Sequence, residues 1–193
     1  MFKKILKMRN VVAVAICLAG LTMFSGCDPN KGGGKGFVIE AKNVASSSSA
    51  ITTVEAHMYS DTKFTATYSG NGFKLTLPNE ISGLPKGRHT IGLWGLDKDD
   101  NWIAAFEYEG SKDGYDYFVC YSYATEDMLY QDVSEWDYDG YSYKTTYNSN
   151  LKKGWNTEYF KSITDEVSKT VTSTVTTEKP SGVNFAWKCY VFL

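Results

Sequence analysis

The sequence predicts an all-β protein, an antiparallel β-sandwich of about ten strands, and three observations support this prediction. From Phe37 onward apolar and polar residues alternate with a period of two, which is typical of half-buried strands. Glycine, asparagine, aspartate and proline interrupt the alternation at regular intervals. Connections between neighbouring segments are short, which favours antiparallel pairing, and this number of strands suits two packed sheets. A closed up-and-down barrel of the lipocalin kind is the alternative.

Eleven alternating segments are the predicted strands. They are 37–44, 51–59, 64–68, 73–77, 88–96, 102–108, 115–123, 141–151, 155–163, 167–176 and 183–192. Asn71-Gly72 lies between two of them and is a strong local signal for a hairpin turn. The stretch 125–140 alternates less clearly and is predicted to be looser.

The first 26 residues predict an export signal. The uncharged, mostly apolar run 11–24 is 14 residues long, too short for a membrane-spanning helix of about 20 residues. It fits the apolar region of a signal peptide, which needs about 7–15. Small residues, Ser25 and Gly26, follow it. The four basic residues of this segment precede the run: Lys3, Lys4, Lys7 and Arg9.

The segment Phe24-Ser25-Gly26-Cys27 resembles the lipobox of bacterial lipoproteins, which is usually Leu, a small residue, Gly or Ala, then Cys. Phe24 departs from the commonest first residue but is apolar. The resemblance implies that Cys27 receives a thioether-linked diacylglycerol, becomes the first residue after cleavage and is acylated on its amine. Two or more acyl chains give durable membrane anchoring. The alternative is an ordinary secreted protein whose signal ends near a cysteine.

The chain therefore divides into a signal peptide (1–26), a lipidated cysteine with a glycine-rich tether (27–36) and a single β domain (37–193). The tether is too rich in glycine to fold by itself. We expect the domain to lie outside the cytoplasm, held by lipid in the cell envelope, with the outer membrane as the expected location.

Three further segments, together with the lipobox, resemble the small all-β lipoproteins of unassigned function found in Gram-negative gut anaerobes. They are Asn71-Gly-Phe-Lys-Leu-Thr-Leu-Pro78, Leu151-Lys-Lys-Gly-Trp-Asn156 and Lys179-Pro-Ser-Gly182 before an aromatic final strand. The resemblance implies a cellular location and a fold, and it implies no ligand.

Two cysteines remain if Cys27 is lipidated, and their pairing is left open. Cys120 and Cys189 both lie in predicted strands, and a disulfide between them is as reasonable as two separate buried thiols. No Cys-x-x-Cys occurs and the only histidines are His57 and His89, so the sequence predicts neither a zinc site nor any cofactor.

The acidic residues suggest a hydrolase or a calcium site only weakly. Glu135-Trp-Asp-Tyr-Asp139 is similar to the Glu-x-Asp-x-x-Glu strand of sandwich-fold glycosidases, but Gly140 stands where the third acid belongs. The segments 97–101 and 137–139 are read as acidic turns, because neither supplies the six to eight oxygens that calcium takes. The sequence shows no catalytic constellation, so we expect a non-enzymatic binding or structural component of the cell envelope. A glycan-binding module and a glycoside hydrolase-like sandwich are the alternatives.

Aromatic residues make up 15% of the chain and include 14 tyrosines. Tyr115, Tyr117, Tyr121 and Tyr123 share one face of a predicted strand and are the candidate glycan platform. The alternative is that they pack in the core, which we favour because tyrosine suits half-buried strands. The formal net charge is −2, and all four basic residues of 1–26 would leave with the signal peptide, so the part that remains is acidic and a polyphosphate partner such as nucleic acid is not expected. With nucleic acid not expected, the remaining partner classes are the membrane, a glycan and another envelope protein.

Overall fold

The alternating segments form strands throughout the part of the chain that the computed structural model describes, residues 36–58 and 62–192. The all-β prediction is confirmed, and these residues contain twelve strands. In chain order they are β1 (Phe37–Ala41), β2 (Thr53–Met58), β3 (Lys63–Thr67), β4 (Phe73–Leu77), β5 (Arg88–Leu96), β6 (Trp102–Lys112), β7 (Tyr115–Ala124), β8 (Met128–Tyr138), β9 (Tyr141–Leu151), β10 (Gly154–Asp165), β11 (Thr170–Thr176) and β12 (Ala186–Val191).

The strands form a large sheet and a small one. The large sheet has ten strands in the order β3-β2-β5-β6-β7-β10-β11-β9-β8, and β12 adds to it by pairing with β6. The small sheet is the antiparallel pair β1–β4. Pairing in the large sheet is antiparallel except between β9 and β11, so the prediction of mostly antiparallel pairing is confirmed.

The small sheet packs on one face of the large sheet, and the two layers form the predicted sandwich. Aromatic rings hold the layers together: Phe37 meets Tyr121 at 5.0 Å between ring centroids, and Phe73 meets Phe106 and Trp187 at 5.3 Å each. Such edge-to-face pairs add about 0.5–1.5 kcal/mol each to the burial of apolar area. We call this side of the large sheet the core face.

The opposite side, the polar face, carries acidic side chains at alternate strand positions. Glu55 of β2, Glu107 and Glu109 of β6 and Glu158 of β10 all point away from the small sheet, because successive residues of a strand alternate between faces. The carboxylate of Glu158 is fully buried.

A closed hydrogen-bond network satisfies Glu158. Its carboxylate accepts hydrogen bonds from Arg88 Nε at 2.9 Å, from Ser122 Oγ at 2.5 Å and from Ser149 Oγ at 2.6 Å. The Arg88 guanidinium also lies 5.3 and 5.4 Å from the ring centroids of Tyr130 and Tyr147. Since those tyrosines belong to β8 and β9, the far end of the sheet curls back over β5, and this network is a structural element.

The sequence-based prediction for 125–140 is wrong, because β8 spans Met128–Tyr138 and pairs with β9 along its whole length. Asp139 (φ 48°) and Gly140 (φ 81°) make the tight turn between the two strands. The strand lies at the edge of the sheet and is largely exposed, so its outward positions carry acids and its alternation of apolar and polar residues is weak.

The Asn71-Gly72 turn is present, but its two strands separate. Ser69 and Gly72 exchange backbone hydrogen bonds of 3.0 and 3.1 Å, and Gly70 and Asn71 have positive φ angles. Beyond the turn β3 joins the large sheet and β4 the small one. The turn therefore connects the two layers of the sandwich instead of closing a two-stranded ladder.

Candidate functional site

The four tyrosines of the predicted platform do not form an exposed surface. Tyr117, Tyr121 and Tyr123 are 8%, 0% and 3% exposed and lie on the core face. The Tyr123 hydroxyl accepts a hydrogen bond from the backbone N–H of Ile81. Tyr115 is half-buried, with Lys161 Nζ 3.7 Å from its ring centroid. These tyrosines are packing residues, as the alternative interpretation expected.

Cys120 and Cys189 do not form a disulfide; both are buried thiols. Cys189 pairs in register with Phe106 on the core face, whereas Cys120 pairs with Glu158 on the polar face. Side chains on opposite faces of one sheet cannot meet. Burial raises the pKa of the Cys189 thiol to about 11, which keeps it protonated. Cys27, the predicted lipid attachment site, lies outside the described residues.

The acids of both predicted acidic turns already have hydrogen-bond partners, although Asp137 lies in β8 and not in a turn. The Asp97 carboxylate accepts from the backbone N–H groups of Asp99 and Asn101 at 2.8 and 2.9 Å, and hydrogen bonds from Asn101 lower its pKa. Asp137 accepts from Ser142 Oγ at 2.6 Å, and the Glu135 carboxylate pairs with a lysine of β9. Within residues 36–58 and 62–192, no group of three or more His, Cys, Asp or Glu side chains could hold a metal ion.

The polar face instead carries an aromatic surface that the sequence analysis did not single out. We call it the tryptophan patch: Glu55, His57, Lys63, Trp94 and Trp102. The Trp102 indole is 49% exposed and stacks on Trp94, with ring centroids 5.3 Å apart and ring planes 12° apart. Its Nε1 donates a hydrogen bond of 3.3 Å to Glu55 Oε1. Contacts on one side and one edge thus fix the ring while half of its surface stays in solvent.

A buried carboxylate organises this patch. Glu55 is only 2% exposed, and besides Trp102 it contacts His57 Nδ1 at 3.3 Å and Lys63 Nζ at 3.1 Å. The His57 ring also meets Trp102 edge-to-face, with ring centroids 5.4 Å apart. Donors from β2, β3 and β6 therefore converge on one acid, which holds the patch in a single arrangement. The other histidine, His89, contacts the carbonyl oxygen of Pro85 at 2.7 Å and lies outside the patch.

A second feature of the polar face is a cleft at the other end of β6. It has a volume of about 880 Å³ and opens between the β6–β7 turn and β12. On its wall Glu109 accepts a hydrogen bond of 2.8 Å from the Tyr190 hydroxyl and forms an ion pair with Lys188. Glu107, two residues earlier on the same face, is 2% exposed. Burial and the neighbouring Glu109 carboxylate raise the pKa of Glu107 well above its usual range.

No known protein family, curated protein or solved structure matches this chain. Among the described residues, no helix has the length and apolar character needed to cross a membrane.

Sequence reasoning missed the tryptophan patch for a physical reason, although a signal for it exists. Val54, Ala56 and Met58 are buried as expected, so Glu55 and His57 must face the other way. Trp94 likewise alternates with Leu93, which is buried. The signal is an aromatic residue at a strand position that alternates with buried apolar positions. Only the pairing of β2, β5 and β6 shows that these residues meet.

Proposed function

We propose that this chain is an extracytoplasmic lipoprotein, anchored by lipid on Cys27, whose β domain binds carbohydrate on the tryptophan patch without catalysing a reaction. The anchor is supported by the lipobox and by the basic and apolar segments before it. The tether from Asp28 to Gly36 reaches at most about 30 Å when extended, so the binding surface would stay close to the membrane.

The half-exposed, immobilised indole of Trp102 is the observation that carries the carbohydrate proposal. Sugar rings have an apolar face of C–H groups and a rim of hydroxyls, so they stack on flat aromatic rings and hydrogen-bond to neighbouring polar groups. Trp102 offers the flat ring, and His57 and Lys63 offer polar groups beside it. Because Trp94 and Glu55 already hold the ring, little side-chain entropy would be lost on binding.

The partners and positions of the carboxylates considered for hydrolysis, and of Glu55, fit a binding role without catalysis. In the segment considered for hydrolysis, Glu135 is paired with Lys144 and Asp137 with Ser142, on an exposed edge strand. Glu55 is occupied by three donors inside the tryptophan patch. None of these acids is placed opposite a second one across a cleft, which hydrolysis of a glycosidic bond requires.

The first prediction tests the tryptophan patch by removing its ring. The full chain, in a polyoxyethylene detergent that carries no sugar, should bind a subset of neutral glycans on an array. Stacking on one aromatic ring is worth about 1–3 kcal/mol for nucleic-acid bases, and sugar stacking should be no stronger. Trp102→Ala should therefore weaken binding about tenfold, while Trp102→Phe should keep most of the affinity.

Tyr138→Ala is the matched control, because Tyr138 is an exposed aromatic residue (39%) outside the tryptophan patch. It should leave glycan binding unchanged, and thermal unfolding should show all three variants folded. Wild-type protein that binds no glycan, or Trp102→Ala that binds as well as wild type, would refute the proposal.

A further inference from the structure

The edge strand β8 is long and open to solvent. It ends the large sheet and pairs only with β9 among the described strands. None of its 11 residues is buried, and Leu129 and Val133 are 61% and 53% exposed. The strand at the other end of the sheet, β3, has only five residues. A long edge strand with exposed apolar side chains is a template for pairing with another strand.

The Asp139-Gly140 turn determines which backbone groups of β8 point to this edge. In a hairpin with a two-residue turn, the residues on either side of the turn form a hydrogen-bonded pair, and the pattern then alternates. Asp137 therefore points its backbone groups away from β9. Ser142 opposite it agrees, because its N–H donates to the carbonyl oxygen of Lys169, on the β11 side of β9. The residues whose backbone groups point outward are Leu129, Gln131, Val133, Glu135 and Asp137.

The acidic side chains of β8 do not protect this edge. Outward charges, proline, lysine and bulges are the usual means by which proteins keep strand edges from pairing. Glu135 and Asp137 are instead engaged by a lysine and a serine of β9, and Asp132 accepts from the adjacent N–H of Val133 at 2.8 Å. The strand contains no proline, lysine or arginine, and its register with β9 has no bulge. The backbone of the edge is therefore accessible to a partner strand.

Two copies of β8 are complementary when they pair antiparallel over their whole length. This register centres on Val133, which lies opposite its own copy and has outward backbone groups, as a hydrogen-bonded pair requires. Gln131 then lies opposite Glu135 of the second copy, and Ser134 lies opposite Asp132. An amide N–H and a hydroxyl thus face two of the carboxylates, to which they can donate hydrogen bonds.

The remaining pairs of this register fit as well. Tyr130 lies opposite Trp136 of the second copy, and Met128 lies opposite Tyr138, on the face where these side chains are half-buried or exposed. Cross-strand pairs of aromatic side chains stabilise antiparallel strands. The third acid of β8 faces Leu129, so no acid lies directly opposite another acid.

We propose that β8 is the interface of a symmetric dimer, in which the large sheets of two copies of this chain join through their β8 edges into one continuous sheet. The twofold axis passes between the two Val133 residues, and the outward backbone groups form about ten hydrogen bonds across it. A second copy is the occupant because β8 is complementary to itself in charge and hydrogen bonding. The interface uses neither the tryptophan patch nor the lipid.

Sedimentation equilibrium of the full chain, in a density-matched non-ionic detergent, tests the dimer. Wild type should show a monomer–dimer equilibrium. Val133→Glu places two carboxylates opposite each other on the axis and should raise the dimer dissociation constant about tenfold. Val167→Glu is the matched control, because Val167 is 96% exposed and lies outside β8. This control and Trp102→Ala should both dimerise like wild type, so the result is independent of the carbohydrate proposal.

Oxidative cross-linking tests the register, and it decides the matter if Val133→Glu does not fold. Val133→Cys should form a disulfide-linked dimer, because the two Cα atoms of a hydrogen-bonded pair lie about 5.5 Å apart, within the range of a disulfide. Gln131→Cys alone should not cross-link, since its copies are four residues apart in the register, roughly 13 Å. Mixing Gln131→Cys with Glu135→Cys should restore cross-linking. Val167→Cys measures the background from chance collisions.

Three outcomes would overturn the proposal. The first is a wild-type chain that stays monomeric, including one whose β8 pairs with a strand of a different protein. The second is a folded Val133→Glu variant that dimerises as tightly as wild type. The third is cross-linking of Val133→Cys that does not exceed that of Val167→Cys or of Gln131→Cys alone.

Discussion

At the scale of single residues, the carboxyl of Glu107 should make the stability of the domain depend on pH. Burial and the neighbouring Glu109 raise the pKa of Glu107 in the folded protein, whereas the unfolded chain releases this proton at about pH 4.3. The folded state therefore holds a proton that the unfolded state loses. This contribution to stability is complete below the unfolded pKa and is lost as pH rises through the folded one.

Glu107→Gln should remove this dependence, since glutamine has nearly the same shape and cannot ionise. A pKa raised by one unit corresponds to about 1.4 kcal/mol. We expect the variant to be more stable than wild type by on the order of 1 kcal/mol or more at about pH 8, and equally stable at about pH 4. Urea unfolding across this pH range measures the difference, with the exposed Glu135→Gln as control. Parallel pH curves for Glu107→Gln and wild type would contradict the assignment.

At the scale of single residues, the sequence predicts which side chains of a strand share a face, but it does not predict which face is covered. A period of two correctly separates Val54, Ala56 and Met58 from Glu55 and His57 on β2. It does not say which face a second sheet will cover, so a glycan platform on the tyrosines of β7 stayed open as the alternative to the core packing that the sequence favoured. The burial of Tyr121 follows from its contact with Phe37 of β1, and no local pattern specifies where that strand will lie.

At the scale of strands and turns, the turn at 69–72 connects the two sheets and tolerates little change at one of its glycines. A Cβ on Gly72 would lie 2.4 Å from the carbonyl oxygen of Ala41 on β1, so Gly72→Ala must push the turn away from the small sheet. We expect a loss of about 1–3 kcal/mol in the free energy of unfolding, as for other overpacked sites.

Gly70→Ala is the matched control in the same turn. Gly70 has a φ of +57° and no atom within 4 Å of an added Cβ, so the substitution adds backbone strain without a clash. It should cost less than Gly72→Ala in urea denaturation. Equal losses for the two variants would show that the close approach of Ala41 does not limit the turn.

Elements were predicted best where one face of a strand is fully buried. The bounds of β4, β5 and β9 agree with the alternating segments, because each of these strands has core side chains at regular positions. The edge strand β8 was not predicted, because its acids and half-buried aromatic residues do not form a regular alternation of apolar and polar positions. Asp139-Gly140 was the missed signal, since that dipeptide favours tight turns between strands.

At the scale of the whole molecule, the candidate sites could not be predicted because distant segments build them. The Tyr190 hydroxyl that reaches Glu109 lies 81 residues later in the chain, and Trp102 lies 47 residues after Glu55. The sequence shows which side chains share a strand face. Which strands become neighbours depends on how all the apolar surfaces are covered together.

The whole molecule is also the scale at which anchoring is tested. Cys27→Ser removes the thiol that would carry the lipid, so the chain should incorporate no labelled palmitate in a bacterial host and should accumulate as the uncleaved precursor. Cys17→Ser, in the apolar part of the same segment, should be labelled and cleaved like wild type. Labelling that persists in Cys27→Ser, or is absent from wild type, would rule out the lipoprotein assignment.

The pairing of β12 with β6 also sets the order in which the domain can be completed. Residues 186–191 pair with 104–109, so β6 lacks one neighbour until the ribosome has added Val191. Contacts between segments so far apart slow folding, because a long loop must close before they form. The edge of β6 at 104–109 therefore stays open while the chain between the two strands is made, and the sheet cannot be complete before β12 reaches it.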